Sequence, residues 1–526
     1  MPAPYDAIVI GGGHNGLVCA AYLARAGKRV LVVERRERVG GAAVTEEVFP
    51  GFKFSVFSYV VSLLRPGIIR DLDLARHGLH ILPLESTLTP LPNGDYLAQW
   101  GDHDRNRREL ARHSLRDAEA YDEFGRLMHQ MARAVKPVLD MIPPDPASLG
   151  PRELAGVSRL ASHFRGLGAR HFGALTKLMT MSAADYLDEW FETEALKATK
   201  SASGIIGTLL GPRSPGTAYV LLHHYMGEID GVSRAWGFAK GGNGSVTAAI
   251  AGAAQAAGAQ IRTAAPVARV RVAGGRAQGV VLESGEEISA GLVISNADPR
   301  RTFLGLVGEA HLPGEFVTAL RRFKFRGASG KVNLALGEPP DFTCLPGNGP
   351  HLRGAISISP SVDYLERAYD EAKYGEFSRR PYMDIIIPSM IDPGMAPPGK
   401  HVMSIFAQYA PYHLNGGWSA ARREAFGDAV VDALAEYAPN LKPAILHRQV
   451  ITPADIEETV GLTEGNIFQG ELTLQQMFFL RPAPAWARYR TPIRGLYQCG
   501  SGTHPGGGVM GAPGRLAARA ILQDGA

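Results

Sequence analysis

Apolar residues fall in short runs separated by polar turns, and the runs nearest Met1 have the sharpest boundaries. Asp6 to Ile10 (DAIVI) predicts a short buried strand, and Lys28 to Val33 (KRVLVV) predicts a second one ending at Glu34. Between them Leu17 to Ala26 predicts a helix, with Ala20, Ala21, Leu23 and Ala24 supplying small or apolar surface. Continuous apolar strands joined by a helix are the pattern of a parallel βαβ unit. Thr87 to Trp100 holds two strand-like pieces around the turn Pro92-Asn93-Gly94-Asp95. Arg105 to Val138 predicts one long helix, and after the break at Pro143-Pro144-Asp145-Pro146 further helices run to about Phe191. Ser245 to Ala257 predicts another helix, followed by strands at Gln260-Ile261, Pro266 to Val272, Ala277 to Glu283 and Glu287 to Ile294. In Arg322 to Arg326 the alternation has period two, so Phe323 and Phe325 share a face. Lys331 to Leu336, Ile356 to Ser359, Asp384 to Ile387 and Val402 to Tyr409 suggest a mainly antiparallel sheet, and Ala420 to Tyr437 an amphipathic helix. Gly495 to Gly500 predicts a last strand and Arg515 to Gln523 a closing helix. The whole predicts an α/β fold with an α+β second lobe.

The turn after the first strand carries chemistry. Gly11-Gly12-Gly13-His14-Asn15-Gly16 supplies G-x-G-x-x-G at Gly11, Gly13 and Gly16. Gly11 allows the tight turn, Gly13 lets backbone approach a pyrophosphate, and Gly16 lets helix and strand pack closely. The N–H groups and dipole of the new helix then face phosphate charge. Glu34 follows at close to the ~20-residue spacing expected of an acid that accepts hydrogen bonds from ribose. Glu34-Arg35-Arg36-Glu37-Arg38-Val39-Gly40-Gly41 runs straight off that acid into Ala42. A second glycine pair at this spacing resembles the extended motif of FAD-binding flavoproteins of the glutathione reductase and amine oxidase type, which favours FAD over NAD. Ser55 to Leu64 is expected near the flavin edge.

Composition narrows the classes. A formal net charge of +4 over 526 residues gives no case for a nucleic-acid partner. A hydrophobic share of 45% and a charged share of 20% are those of an ordinary globular protein. No window reaches the ~18 uninterrupted apolar residues of a membrane span; Val246 to Ala259 comes nearest and contains Gln255. A strand starting this early leaves no room for a signal peptide. Cys19, Cys344 and Cys499 form no close pair, so a disulfide scaffold, a zinc site and a redox dithiol all lack their signature. The expected setting is the reducing cytoplasm. A peripheral contact with the inner face of a membrane through Arg105, Arg107 and Arg108, and a homo-oligomer, stay open.

Two later stretches matter. Gly237 to Gly244 opens a helix and could be misread as a second dinucleotide site; Asp230 to Trp236 is a poor strand and no acid-terminated strand follows, so one nucleotide is expected. In two-lobed flavoproteins the chain returns to the cofactor lobe after the strands that follow this helix, and that resemblance implies that the backbone near Val267 edges the adenine. His223 and His224, beside Leu221, Leu222 and Tyr225, are candidates to touch substrate. Gly500 to Gly514 is glycine-rich backbone feeding a helix start, with Pro513 suited to its first turn. Gly500, Gly508, Val509 and Met510 are expected at the cofactor, where a helix start aimed at the flavin N1–C2=O edge stabilises the anionic reduced ring. His504 is the best-placed acid or base there.

Together, Gly11 to Gly41, Gly241 to Gly244 and Gly500 to Pro513 resemble the phytoene desaturase and carotenoid ketolase branch of the amine oxidase-like flavoproteins. The runs GGAAVTEE, GFKFS, SLLRP, LRPAP and GLYQCGSGTHPGGGVMGA are closer still to a subgroup named for a pyridine nucleotide-disulfide oxidoreductase domain. The resemblance implies one non-covalent FAD and a split FAD lobe, read here as 1–85, 232–298 and 490–526. It also implies a substrate lobe, 86–231 and 299–489, with a membrane-facing entrance. Where phytoene desaturases commonly carry an arginine after the second glycine pair, this chain has Ala42.

The expected activity is FAD-dependent oxidation or reduction, with hydride moving between flavin N5 and a small apolar, isoprenoid or polyene-like substrate. Two alternatives remain. One is amine oxidation, against which Gly500 to Gly511 offers no aromatic to flank an amine. The other is a non-catalytic, flavin-bearing regulatory protein. No metal is expected.

Overall fold

The computed structural model describes residues 5–146, 148 and 150–525, with Arg152 described through its backbone alone. The predicted lobe limits at 1–4 and 526 lie outside the described residues.

The apolar strands need cover on both faces, and the fold provides it. Strand β1 (Tyr5–Ile10), helix α1 (His14–Arg25) and strand β2 (Val30–Val33) form the expected βαβ unit. They belong to a seven-stranded sheet in which Gln260–Arg262, β2, β1 and Glu287–Ser295 lie side by side and parallel. Leu496–Gln498 adds a parallel strand to the end of Glu287–Ser295. Arg276–Leu282 and Val267–Ala273 continue antiparallel from its beginning. On one face α1 packs against helices Gly244–Ala256 and Ala512–Gln523. Small residues permit this: Ala20, Ala21, Ala249, Ala517 and Ala520 are all buried in one core.

The second sheet also has seven strands. Ile445–Ile451, Ser329–Leu336, His401–Gln408, Tyr382–Ile386 and Ala355–Ile358 are successively antiparallel, as expected. The hairpin Ser86–Pro90 and Tyr96–Trp100 joins it, through a parallel pairing of Ser86–Pro90 with Ala355–Ile358. Helices between His103 and Tyr225 form a third body around Phe124, Leu178, Tyr186 and Leu222. Among the described residues no helix is long and apolar enough to cross a membrane.

The structure refines the sequence readings. The single helix predicted from Arg105 to Val138 is two, His103–His113 and Leu115–Leu139, because the Ser114 side chain accepts a hydrogen bond from Asp117 N–H and caps a new start. Phe323 and Phe325 share a buried face but form no strand; their rings meet edge-on at 5.3 Å after helix Gly314–Arg322. Gly237–Ala239 pairs antiparallel with Ile81–Pro83, outside the parallel sheet. Residues 301–320, which the sequence places in the second lobe, pack on the first sheet, where Phe303, Phe316 and Leu320 share a core with Ile8 and Val293. Cys19 and Cys499, distant in sequence, are free thiols buried side by side; burial and Cys19 push the Cys499 thiol up.

Candidate functional site

One long cavity of about 330 Å³ runs from the glycine turn of the first sheet to the wall of the second. Its polar end begins where β1 stops. Gly11 takes φ +95° and donates its N–H to Val33 O at 2.8 Å, which closes the turn. Gly13 is the N-cap of α1, so no side chain competes for the first N–H groups of the helix, and the first turn holds no acid. A Cβ on Gly16 would lie 2.2 Å from Gly11 O, so the turn and helix fit together only without one. Gly12 N–H donates to Glu34 Oε2 at 2.7 Å and Arg36 N–H to Oε1 at 2.9 Å. These bonds hold the buried carboxylate beside the turn. Gly40 N–H donates to Gly12 O at 2.9 Å, tying the second glycine pair to the first.

The glycine-rich stretch near the last helix completes this end. Helix Ala512–Gln523 has Pro513 in its first turn, as expected, and Gly511 before it at φ +72°. Asn15 Nδ2 donates to Ser501 Oγ at 3.0 Å, and a Cβ on Gly514 would lie 2.1 Å from Asn15 O. The two helix starts therefore abut.

The other end is apolar and aromatic. Tyr59, Ile206, Trp236, Phe406 and Phe468 line it, with His224 among them. Tyr59 stacks on Phe406 at 5.6 Å and donates its O–H to Asp384 Oδ2 at 2.8 Å. Burial pushes the Asp384 carboxyl up to about 6. Lys331 is buried and donates to the carbonyls of Ser55 and Ser58, which fixes the wall segment that carries Tyr59. Burial holds its amine well below the ordinary lysine range. Arg481, wholly buried, donates to the carbonyls of Phe468 (2.8 Å), Gly470 (3.0 Å) and Ser501 (2.9 Å), so it ties the apolar wall to the glycine-rich stretch.

The cavity brings together Gly11, Gly13, Asn15, Glu34, Arg35, Gly40, Gly41, Ala42, Val267, Gly508 and Val509 from the predicted set. Gly12, Gly16, Gly500, Met510 and His504 are not among its lining. Gly12 holds Glu34, and Gly16 packs the turn. Gly500 packs against Asn296, whose O would lie 2.5 Å from a Cβ there. Met510 is buried behind the wall with Leu63 and Ala512. His504 is buried with Nε2 2.8 Å from Val138 O and its ring against Phe478, and burial pushes it down to about 4. It is a structural post, not an acid or base at this cavity.

Several lining residues escaped the sequence reading. His14 and Asn296 flank the glycine turn; the strand-terminal run Val293 to Ala297 was the available signal for Asn296. Arg301 follows it. His223, a candidate from the sequence to touch substrate, is not among the lining; it is wholly buried behind Gly508, and burial pushes it down to about 3. Among the described residues no cluster of His, Cys, Asp or Glu could hold a metal.

The polar end fits FAD. An uncapped helix start and paired glycines face the cavity there, and Glu34 is fixed beside them. His14 Nε2 and Asn15 Oδ1 are buried without partners at the same place, as expected of groups that meet a bound ligand. The profile of the family described as flavin containing amine oxidoreductase matches residues 16–522. The chain is 43% identical to pyridine nucleotide-disulfide oxidoreductase domain-containing protein 2 of Rattus norvegicus, over 99% of this chain and 94% of that one. It is 28% identical to a limonene dehydrogenase component of Castellaniella defragrans, over 99% of this chain and 94% of that one. It is 26% identical to a lycopene-forming phytoene desaturase of a Paracoccus species, over 99% and 98%. Putrescine oxidase, solved with putrescine bound, shares the fold at a TM-score of 0.62 and 16% identity, over 99% of each chain. The chain thus belongs to the flavin-containing amine oxidoreductase family, and its cofactor is FAD.

Proposed function

We propose that this chain dehydrogenates an apolar, isoprenoid- or polyene-like substrate. The observation that carries the reading is the apolar end of the cavity, walled by Ile206, Trp236, Phe406 and Phe468. Such a wall gains roughly 25 cal/mol for each Å² of apolar ligand surface it removes from water. Two relatives named for limonene and phytoene, both isoprenoid hydrocarbons, support it. Bound FAD would supply the two-electron acceptor, with N5 taking hydride. Dehydrogenation also releases a proton. His224 stands at the apolar end with Nδ1 2.9 Å from Val220 O and the Ser203 backbone also in hydrogen-bond reach, and it is the side chain offered to accept that proton. Burial lowers the His224 pKa, so the ring is neutral and ready at pH 7.

The amine-oxidising alternative needs two aromatic faces held apart around an amine. Aromatics are present here, brought from segments far from Gly500 to Gly511. Tyr59 and Phe406, however, stack on each other at 5.6 Å and leave no slot between them. The test is anaerobic mixing of the FAD-loaded protein with limonene, linear polyenes and aliphatic amines, followed by flavin absorbance. Bleaching by the hydrocarbons and not the amines is expected. Bleaching by amines alone overturns the proposal, and bleaching by neither moves the regulatory reading to the front.

A further inference from the structure

Two guanidinium groups meet at the polar end of the cavity, and among the described residues no carboxylate is paired to either. Arg35 and Arg301 both line it. A Cβ on Gly461 would lie 3.4 Å from Arg301 Cζ and 3.5 Å from Arg35 Nη2, so one small residue separates the two cations. Arg301 makes no ion pair among the described residues, and its Nε is buried without a partner. Arg35 Nη2 donates to Glu458 O at 2.8 Å, a neutral acceptor. Glu283 also lines the cavity but forms no ion pair with either arginine among the described residues, and the other nearby acids are engaged. Glu34 accepts from Gly12 and Arg36 N–H, and Glu46 pairs with Arg36. Asp298 accepts from Arg301 N–H and from Thr463. Burial, and then the Arg301 charge, press the Arg35 pKa downward; Glu34 and Glu283 offset this only in part. Two like charges at contact range destabilise each other unless an anion lies between them or beside them.

The residues around the pair say which anion. Gly461 belongs to a segment whose Val460 and Leu462 share one apolar cluster with Ala42, the neighbour of Gly40 and Gly41. Gly41 in turn approaches the Gly13 Cα. Gly13, Gly41 and the two arginines therefore border one stretch of the cavity, and Ala42 brings it no charge. We propose that Arg301, assisted by Arg35, is the cationic clamp on the FAD diphosphate, reaching it from the chain that follows Glu287–Ser295. The inference rests on FAD occupying this cavity. A guanidinium suits the task because it offers several N–H donors to phosphate oxygens.

The test separates phosphate from the rest of the ligand. Apoprotein of the wild type and of Arg301→Ala is titrated with FAD, ADP and adenosine by calorimetry. Loss of a hydrogen-bonded charge weakens FAD and ADP by roughly 10–100-fold and leaves adenosine unchanged. Arg301→Lys recovers part of the loss. Raising salt weakens FAD less in the variant than in the wild type. The apoprotein melting temperature does not fall in Arg301→Ala, because a repulsion has been removed, whereas a purely structural arginine would lower it. Equal loss for ADP and adenosine, or no loss for ADP, overturns the clamp. A wild type that binds none of the three overturns the cofactor reading instead.

Discussion

His504 offers a sharp test of burial as the force that sets proton affinity in this molecule. In the folded protein the ring is enclosed, its Nε2 lies 2.8 Å from Val138 O, and burial lowers its pKa from 6.5 to about 4. In the unfolded chain it titrates at its ordinary value. Between the two the unfolded state binds more protons, so this contribution to stability is fully present above pH 6.5 and is lost as pH falls toward 4. Each pH unit below 6.5 removes about 1.4 kcal/mol, which makes the loss roughly 2 kcal/mol at pH 5. His504→Gln keeps an N–H donor for Val138 O and removes the titration. Urea unfolding of the FAD-loaded wild type and variant at pH 7 and pH 5 measures the difference. His14 and His223 titrate in both proteins and cancel. The variant should lose about 2 kcal/mol less than the wild type between the two pH values. Equal losses would refute burial as the cause of the shift. Substrate-driven flavin reduction at pH 7 should be unchanged in the variant; a hundredfold slowing would return His504 to the chemistry.

Three more outcomes are expected. Gly16→Ala drives a methyl to 2.2 Å from Gly11 O, a backbone atom with nowhere to go; overpacking of this kind costs roughly 1–3 kcal/mol or more, and the purified protein should carry little FAD by its absorption spectrum. Glu34→Gln keeps the bond from Gly12 N–H but loses its charge, so apoprotein should bind FAD roughly tenfold more weakly in a calorimetric titration. Anaerobic NADH should leave the flavin oxidised, because the chain has one dinucleotide turn; rapid stoichiometric bleaching would contradict this.

What could be read from the sequence was local. The glycine turn, α1, β2 and Glu34 are neighbours in the chain, so their spacing already encodes their geometry. The same holds for Gly508 to Gly514 and the helix they open. The strands of the second sheet, apart from Ile445–Ile451, were visible as short runs, but their order was not, since the parallel pairing of Ser86–Pro90 with Ala355–Ile358 joins segments more than 250 residues apart. The apolar end of the cavity hid for the same reason. Tyr59, Ile206, Trp236, Phe406 and Phe468 come from five separate segments, and each alone reads as an ordinary core residue. Met510 and His504 depart from expectation because a glycine-rich stretch does not point all its residues at the ligand. Val509 at φ +55° turns the chain so that its neighbours face the core.

The abutting helix starts set an order of events during synthesis. Asn15 and Ser501 share a hydrogen bond across 486 positions of chain. The glycine turn leaves the ribosome early, yet the wall it needs, Ser501 to Gly514, emerges hundreds of residues later. At ~5–20 residues per second that interval is tens of seconds, during which the nascent turn is open on one side. The closed nucleotide site therefore exists only once Ser501 to Gly514 has emerged and folded back. A chain ending anywhere before Ala512–Gln523 would display the full glycine motif in its sequence and still lack a closed nucleotide site.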